Sequence, residues 1–368
     1  MMEPQNILTT YNNLPYFIQI AWVTSALILI AIVFLTIYLK IWRASNRKKE
    51  TQNQKGKTEL ESLLVEYLYT QHDNPNYLSE RQWEIIGELI DPIKVSWKRR
   101  IIIKTLYNLL DEVSGEMSDI IKKLYFRTGL YKYAVAKLQA KKWHVIGKGI
   151  EELTRFKVIE ASERIKPFTA HPRDEVRKEA HIYMVSLFSF EGLSFLDNIK
   201  EPISEWAQIE ILETLHHIED QNICDIKPWL KSENRYVVLF ALKLAKVYNQ
   251  YEVNETLVEL LSHEDKEIRI QTIEVLTQLY GIEAKELLKA NFNALSLEEQ
   301  ISFFELLEKL VMPNDEPFVE KHLFHKNFEI QLLALKILKS INLDKFLNIK
   351  EETTTNSNPD ILAFVNNL

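Results

Sequence analysis

Between His171 and Ile341 the chain repeats itself six times, in steps of 30 to 32 residues. A unit that short cannot bury its own apolar face, so copies must stack side by side to make a shared core. Anchored on Val176, Ala207, Val237, Ile268, Gln300 and Ile330, the copies carry Ala180, Ile211, Ala241, Thr272, Phe304 and Ala334 four residues on. Seven on come Tyr183, Thr214, Leu244, Val275, Leu307 and Ile337, and eleven on come Leu187, Ile218, Tyr248, Leu279, Val311 and Ile341. Offsets of zero, four, seven and eleven trace one stripe of an α-helix, here mostly apolar. Shorter stretches at 192–199, 223–230, 253–261, 284–291 and 317–324 lie between these helices, with room for about two to three turns each. The predicted unit is a helical hairpin. Strand signals are missing, and eight glycines in 368 residues leave few tight hairpin turns.

The segments HPRDEVRKEA at 171–180 and HEDKEIRIQT at 263–272 resemble the turn and second-helix start of HEAT repeats, particularly the short bacterial kind. Glu175, Glu267, Glu299 and Glu329 precede the anchor in four copies, where an acid suits the positive end of a helix dipole. Arg177 and Arg269 follow the anchor where the family carries arginine, while the other copies have Gln208, Val238, Ile301 and Gln331 there. The resemblance implies an all-α, right-handed α-solenoid across residues 168–349.

Residues 17–39 form a predominantly apolar run within a stretch free of charged side chains from Pro4 to Leu39. At about 1.5 Å per residue, 23 residues span a hydrocarbon core of about 30 Å with some tilt. Tyr16, Trp22, Tyr38 and Trp42 stand near its ends, where aromatic rings favour the interface. Basic residues follow the run instead of preceding it, unlike a cleaved signal peptide, so the expectation is a retained transmembrane helix. Lys40, Arg43, Arg47, Lys48 and Lys49 place the following chain in the cytoplasm by the positive-inside rule, with residues 1–16 outside. The expected location is a single-pass inner membrane protein. Cys224, the lone cysteine, allows no intramolecular disulfide and is expected to be a small helix residue.

Residues 40–57 are polar and lack apolar periodicity, predicting a basic, flexible linker. Residues 58–167 return to helical patterning, at 60–69, 80–89, 94–110, 118–126 and 132–138, and are expected to form an N-terminal cap. Within them, 143–156 and 161–167 suggest an irregular first repeat. After residue 349 a polar linker at 350–368 ends in a short apolar segment, expected to cap the last repeat. Charge divides unevenly, with +8 over residues 40–148 and −14 over 149–368. A nucleic-acid partner would need a continuous basic face, and the acidic repeats argue against one.

His171, His263 and His325 share one offset, five residues before an anchor, which makes them turn residues and not converging metal ligands. His322 with His325, and His216 with His217, lack the further ligands that zinc requires. Carboxylates are explained as solvated helix faces, and no catalytic motif appears, so neither catalysis, a cofactor nor a small-molecule substrate is expected. Some short HEAT-like repeats are similar to those of chromophore lyases, which keeps an enzyme or enzyme subunit as an alternative reading. A role in envelope or exopolysaccharide assembly beside a membrane glycosyltransferase is another, implied by resemblance to anchored bacterial HEAT proteins.

The candidate partner surface is the helix face at offsets six and nine: Glu213 and His216, Lys243 and Lys246, Glu274 and Thr277, Lys309, Lys336 and Lys339. It is expected to form a ridge growing lysine-rich toward the C-terminus. The function expected is a scaffold or adaptor for another protein at the membrane.

Overall fold

A computed structural model describes residues 15–70, 78–217 and 223–352, all in helices, turns and loops. The chain divides into two compact units, Met1–Tyr131 and Lys132–Leu368. The segment 58–167, expected as a helical N-terminal cap with an irregular first repeat, is therefore divided after Tyr131.

The first unit contains α1 (Tyr16–Tyr69), α2 (Glu80–Lys94), α3 (Ser96–Glu112) and α4 (Glu116–Arg127). Within α1, the 24 residues Ile20–Arg43 are long and apolar enough to cross a membrane, by length and composition, and none is buried against protein. Thr24 donates its hydroxyl to the Ile20 carbonyl at 3.0 Å, and Thr36 does the same to Ile32. Such back-bonding satisfies hydroxyls that a hydrocarbon solvent would leave unpaired.

Residues 40–57 are not a flexible linker: α1 runs through them without a break. Lys, Arg, Gln, Glu and Ala are good helix formers, and polarity on every side marks a solvated helix as readily as a coil. Gly56 is half-buried, and a Cβ there would meet the Trp97 ring at 3.4 Å. Further on, Leu60, Leu64, Tyr67 and Leu68 recover a helical apolar stripe and are buried, as are Ile85, Leu89, Ile102, Leu106, Ile121 and Tyr125 of α2–α4. Arg81 clamps Glu66 with two bonds, 2.7 and 3.1 Å, and Gln82 both completes a capping box with Ser79 and donates to the Tyr67 carbonyl at 3.1 Å.

The second unit is a stack of helical hairpins. Its longer helices are α5 (Trp143–Arg155), α6 (Asp174–Phe188), α7 (Glu205–His216), α8 (Arg235–Val247), α9 (Lys266–Gln278), α10 (Ile282–Ala290), α11 (Leu297–Lys309), α12 (Phe328–Ile341) and α13 (Leu343–Glu352). Of these, α10 is the first helix of its hairpin. The corresponding elements elsewhere are the 3-10 stretch Ser189–Asn198 and the short helices Lys227–Leu230, Asn254–Leu260 and Glu316–Glu320. Cys224 sits in the non-helical stretch before Lys227, correcting the helix expected there.

Five of the six anchors fall on the third residue of a helix and are buried: Val176, Ala207, Val237, Ile268 and Ile330. In α11 the third residue is Glu299, not Gln300, so the fifth copy shifts by one. Glu299, Phe303, Leu306 and Leu310 then occupy offsets zero, four, seven and eleven, and all are buried. A capping box sets this register: the Ser296 N–H donates to Glu299 Oε2 at 2.8 Å and the Glu299 N–H returns to Ser296 Oγ. Arg269 of the preceding copy donates to Glu299 Oε1 at 2.5 Å, so this buried carboxylate is paired.

In the corrected register the residue after the anchor is arginine in two copies, glutamine in three and Val238 in one. Arg177 and Arg269 reach back to turn carbonyls, of His171 at 2.9 Å and His263 at 2.7 Å. Gln208 reaches Ile203 at 2.7 Å, Gln300 reaches Leu295 at 3.2 Å, and Gln331 reaches Leu323 at 3.1 Å. An amide with two N–H donors thus replaces a guanidinium, satisfying carbonyls that a helix-free turn leaves open.

The repeated histidines are turn residues in detail. The backbone N–H two residues on donates to the Nδ1 of His171, His263 and His325, at 3.1, 2.9 and 3.2 Å. In the third copy the Ser232 hydroxyl takes the same bond from Asn234 at 3.1 Å. Helices exit through left-handed residues Lys157, Ser189, Asn249 and Tyr280. At the tight turn after α6, a Cβ on Gly192 would lie 2.3 Å from the Met184 carbonyl oxygen, so only glycine fits.

A single apolar core runs through the stack from Val185 to Phe346. Phe346, on α13, is fully buried, so α13 closes onto the last repeat, and the helix includes residues 350–352 of the expected polar linker. Ile218, residues 1–14 and the terminal apolar segment lie outside the described residues.

Candidate interaction surface

Offsets six and nine of α7, α8, α9, α11 and α12 sit opposite the buried stripe, whereas in α6 they are Ile182 and the buried Val185, so the ridge begins at α7. Glu213 and His216 of α7 are exposed, while Lys243 and Lys246 of α8, Glu274 of α9, and Lys336 and Lys339 of α12 are half-buried between neighbouring helices. Thr277 is buried, with its hydroxyl bonded to the Ile273 carbonyl at 2.7 Å, and leaves the ridge.

The fifth copy changes the ridge's character. With Glu299 as anchor, offsets six and nine are Glu305 and Glu308, both exposed, and Lys309 lies one residue beyond. The ridge is thus not progressively lysine-rich. It carries blocks of both signs: lysines on α8, carboxylates on α9 and α11, lysines on α12. Sequence reasoning missed Glu305 and Glu308 because Gln300, Phe304 and Leu307 score as well as Glu299, Phe303 and Leu306. The Ser296-x-x-Glu299 capping box was the signal that could have separated them.

Polar side chains meet from copy to copy where the sign changes and beside Gln208. Lys246 Nζ lies 3.3 Å from Glu274, Lys336 lies 3.9 Å from Glu308, and Lys243 donates to Gln208 Oε1 at 2.7 Å. Lys178–Glu210 at 3.0 Å continues the pattern toward α6, and Arg235–Asp265 at 2.9 Å runs beside it. Half-exposed pairs of this kind contribute little to stability, about 0–1 kcal/mol each. Their effect is to fix long side chains in place, which lowers the ordering cost of binding. At the acidic centre, partial burial and the nearby carboxylates of Glu274, Glu308 and Glu329 push Glu305 above the usual carboxylate range.

On α1, Lys40 and Arg43 are exposed, and Arg47, Lys48 and Lys49 follow on the same helix. Among the described residues, no three His, Cys, Asp or Glu side chains gather as metal ligands. His322 Nδ1 donates to the Phe318 carbonyl at 2.9 Å, so Nδ1 carries the proton. Its ring packs in a nest of Phe292, Phe304 and Phe318, and burial pushes its pKa down. Cys224 is half-buried beside the Phe190 carbonyl at 3.8 Å, and burial pushes its thiol up, away from thiolate chemistry.

No protein-family model and no curated protein matches this chain. Solved structures similar to it include an engineered protein, at 15% identity over 83% of this chain and 87% of that one, with a TM-score of 0.34. Human deoxyhypusine hydroxylase in complex with glycerol aligns at 14% identity over 79% and 98%, with a TM-score of 0.29. A second engineered protein aligns at 15% identity over 70% and 96%, with a TM-score of 0.23. Superpositions this loose carry no argument about fold or function, and the architecture rests on the helices themselves.

Proposed function

We propose that this chain is a membrane-anchored helical-repeat scaffold that holds another protein at the bilayer through the second-helix ridge. The observation that carries this reading is the copy-to-copy ladder of charged side chains on a rigid, continuously packed stack. Such a surface is preformed over several repeats and carries an acidic block between lysines, which favours one register of a complementary partner and repels others. Catalysis would instead call for a converging set of perturbed groups in a cleft.

The apolar span Ile20–Arg43 supplies the anchor, and the basic flank Lys40, Arg43, Arg47, Lys48 and Lys49 favours a cytoplasmic repeat unit. Restricting a binding surface to a layer beside the bilayer raises its effective concentration toward membrane partners without new contacts. Recovery of one protein at fixed stoichiometry from mild detergent, lost on reversing Lys243, Lys246, Lys336 and Lys339 together, supports the scaffold. A bound chromophore or turnover without a partner would overturn it in favour of a lyase-like enzyme.

A further inference from the structure

A second surface feature lies away from the ridge, at the first turn of α5 and the loop that leads into α6. Lys141, Lys142, Trp143, His144 and Ile146 face His171 and Arg173 across an open cleft of about 510 Å³. Three permanent cations and two imidazoles thus line one cavity, on a unit whose residues 149–368 carry a net charge of −14. Among the described residues, Lys141, Lys142 and Arg173 have no carboxylate partner, and Asp174, the nearest acid in sequence, pairs with Arg177 at 3.1 Å. Like charges gathered without counter-charges repel one another, an arrangement that a bound anion relieves.

The surroundings fit a compact anion. The Arg173 N–H donates to the Nδ1 of His171, which leaves Nε2 as the ring's donor position. Trp143 is 41% exposed and stands edge-on to His144 at 5.7 Å, adding a flat apolar wall. Arg173 occupies the N-cap position of α6, where the helices α7, α8, α9, α11 and α12 have Ser204, Asn234, Asp265, Ser296 and Asn327 capping with their side chains. Arg173 forgoes that cap, and it lines the cleft instead. α5 begins without a side-chain cap or a first-turn acid, which adds to the positive field that the side chains already create. A nucleic-acid strand needs an extended basic track, and this cleft is local.

We propose that the cleft between α5 and the α6 entry binds a phosphate or diphosphate group, held by Lys141, Lys142 and Arg173. A soluble phosphorylated compound and a phosphomonoester lipid headgroup share that chemistry. The test is calorimetric titration of inorganic pyrophosphate into the full-length chain in phosphatidylcholine nanodiscs, with and without phosphatidic acid. Saturable binding with a dissociation constant below about 1 mM is expected, weakened at least tenfold in Lys142→Ala/Arg173→Ala and unchanged in Arg100→Ala/Lys104→Ala. If phosphatidic acid weakens that binding beyond the effect of phosphatidylserine, the headgroup occupies the cleft; if it does not, the ligand is soluble. Absence of saturable binding at about 10 mM overturns the proposal, as does equal binding by the wild type and the Lys142/Arg173 variant. Both variants alter exposed side chains, and unchanged thermal midpoints exclude misfolding as the cause of a loss.

Discussion

Lys285 and Asp315 are each fully buried and bonded to one another at 2.9 Å. Asp315 also accepts from Lys289 at 2.5 Å and from the Met312 N–H at 2.9 Å, while Lys285 has only the Leu310 carbonyl besides, at 3.2 Å, and Glu286 at 3.6 Å. The carboxylate is thus the hub, holding α10 to the turn that begins the next hairpin. Replacing it by Asp315→Asn keeps the volume but leaves the buried ammonium with only the exposed Glu286 carboxylate at 3.6 Å as counter-charge, a loss of about 3–5 kcal/mol. Lys285→Met leaves Asp315 with Lys289 and a backbone donor, so its cost is expected to be smaller, about 1–2 kcal/mol. Because a repeat array need not unfold as one unit, amide hydrogen exchange of residues 282–290 and 313–320 is the appropriate assay. Asp315→Asn should lose about two to three decades of protection there, and Lys285→Met about one. Equal losses, or a loss below tenfold for Asp315→Asn, would refute the hub argument. Burial raises Asp315, but the Lys289, Lys285 and Met312 hydrogen bonds outweigh it and hold the carboxyl below its ordinary value. Its contribution is therefore present above the unfolded carboxylate range and lost only as pH falls through the lower folded value.

His181 is buried, stacked on Phe195 at 3.9 Å and bonded through Nε2 to the Thr169 carbonyl at 3.0 Å; burial pushes its pKa down to about 4. Since the unfolded imidazole protonates near 6.5, stability should fall by about 3 kcal/mol as pH drops from 6.5 to 4, and His181→Phe should flatten that part of a melting-temperature profile. Glu299→Lys should cost several kcal/mol in chemical denaturation by facing Arg269 in the core, whereas Glu298→Lys, one residue away and exposed, should cost less than about 1. His263→Ala should cost about 0.5–1.5 kcal/mol by freeing the Asp265 N–H, and His263→Ser should recover part of it, as Ser232 already does in its own copy.

The period and the helix starts were legible because an apolar stripe repeated every 31 or so residues has few other physical solutions. The histidines were legible for the same reason, since a shared offset implies a shared local role. The fifth copy was not, because adjacent phenylalanines and leucines make two equally apolar stripes, and choosing between them required the capping of Ser296 and the Arg269 partner of Glu299. Residues 40–57 misled for a different reason: lack of apolar periodicity shows only that no face is buried, while continuity of α1 follows from helix propensity. The cleft at Lys142 and Arg173 joins residues 31 apart, and the sequence shows only two separate basic groups.

The proposed scaffold role requires that the charged ridge, presented from the membrane, hold a protein partner. Its most direct test is crosslinking from photoreactive residues placed at Glu213, Glu305 or Lys339 in intact membranes, followed by mass spectrometry. One protein captured from all three positions, and not from a probe at Glu255 on the first-helix side, is the predicted result. Capture equal at Glu255, or none from the ridge, would contradict the account.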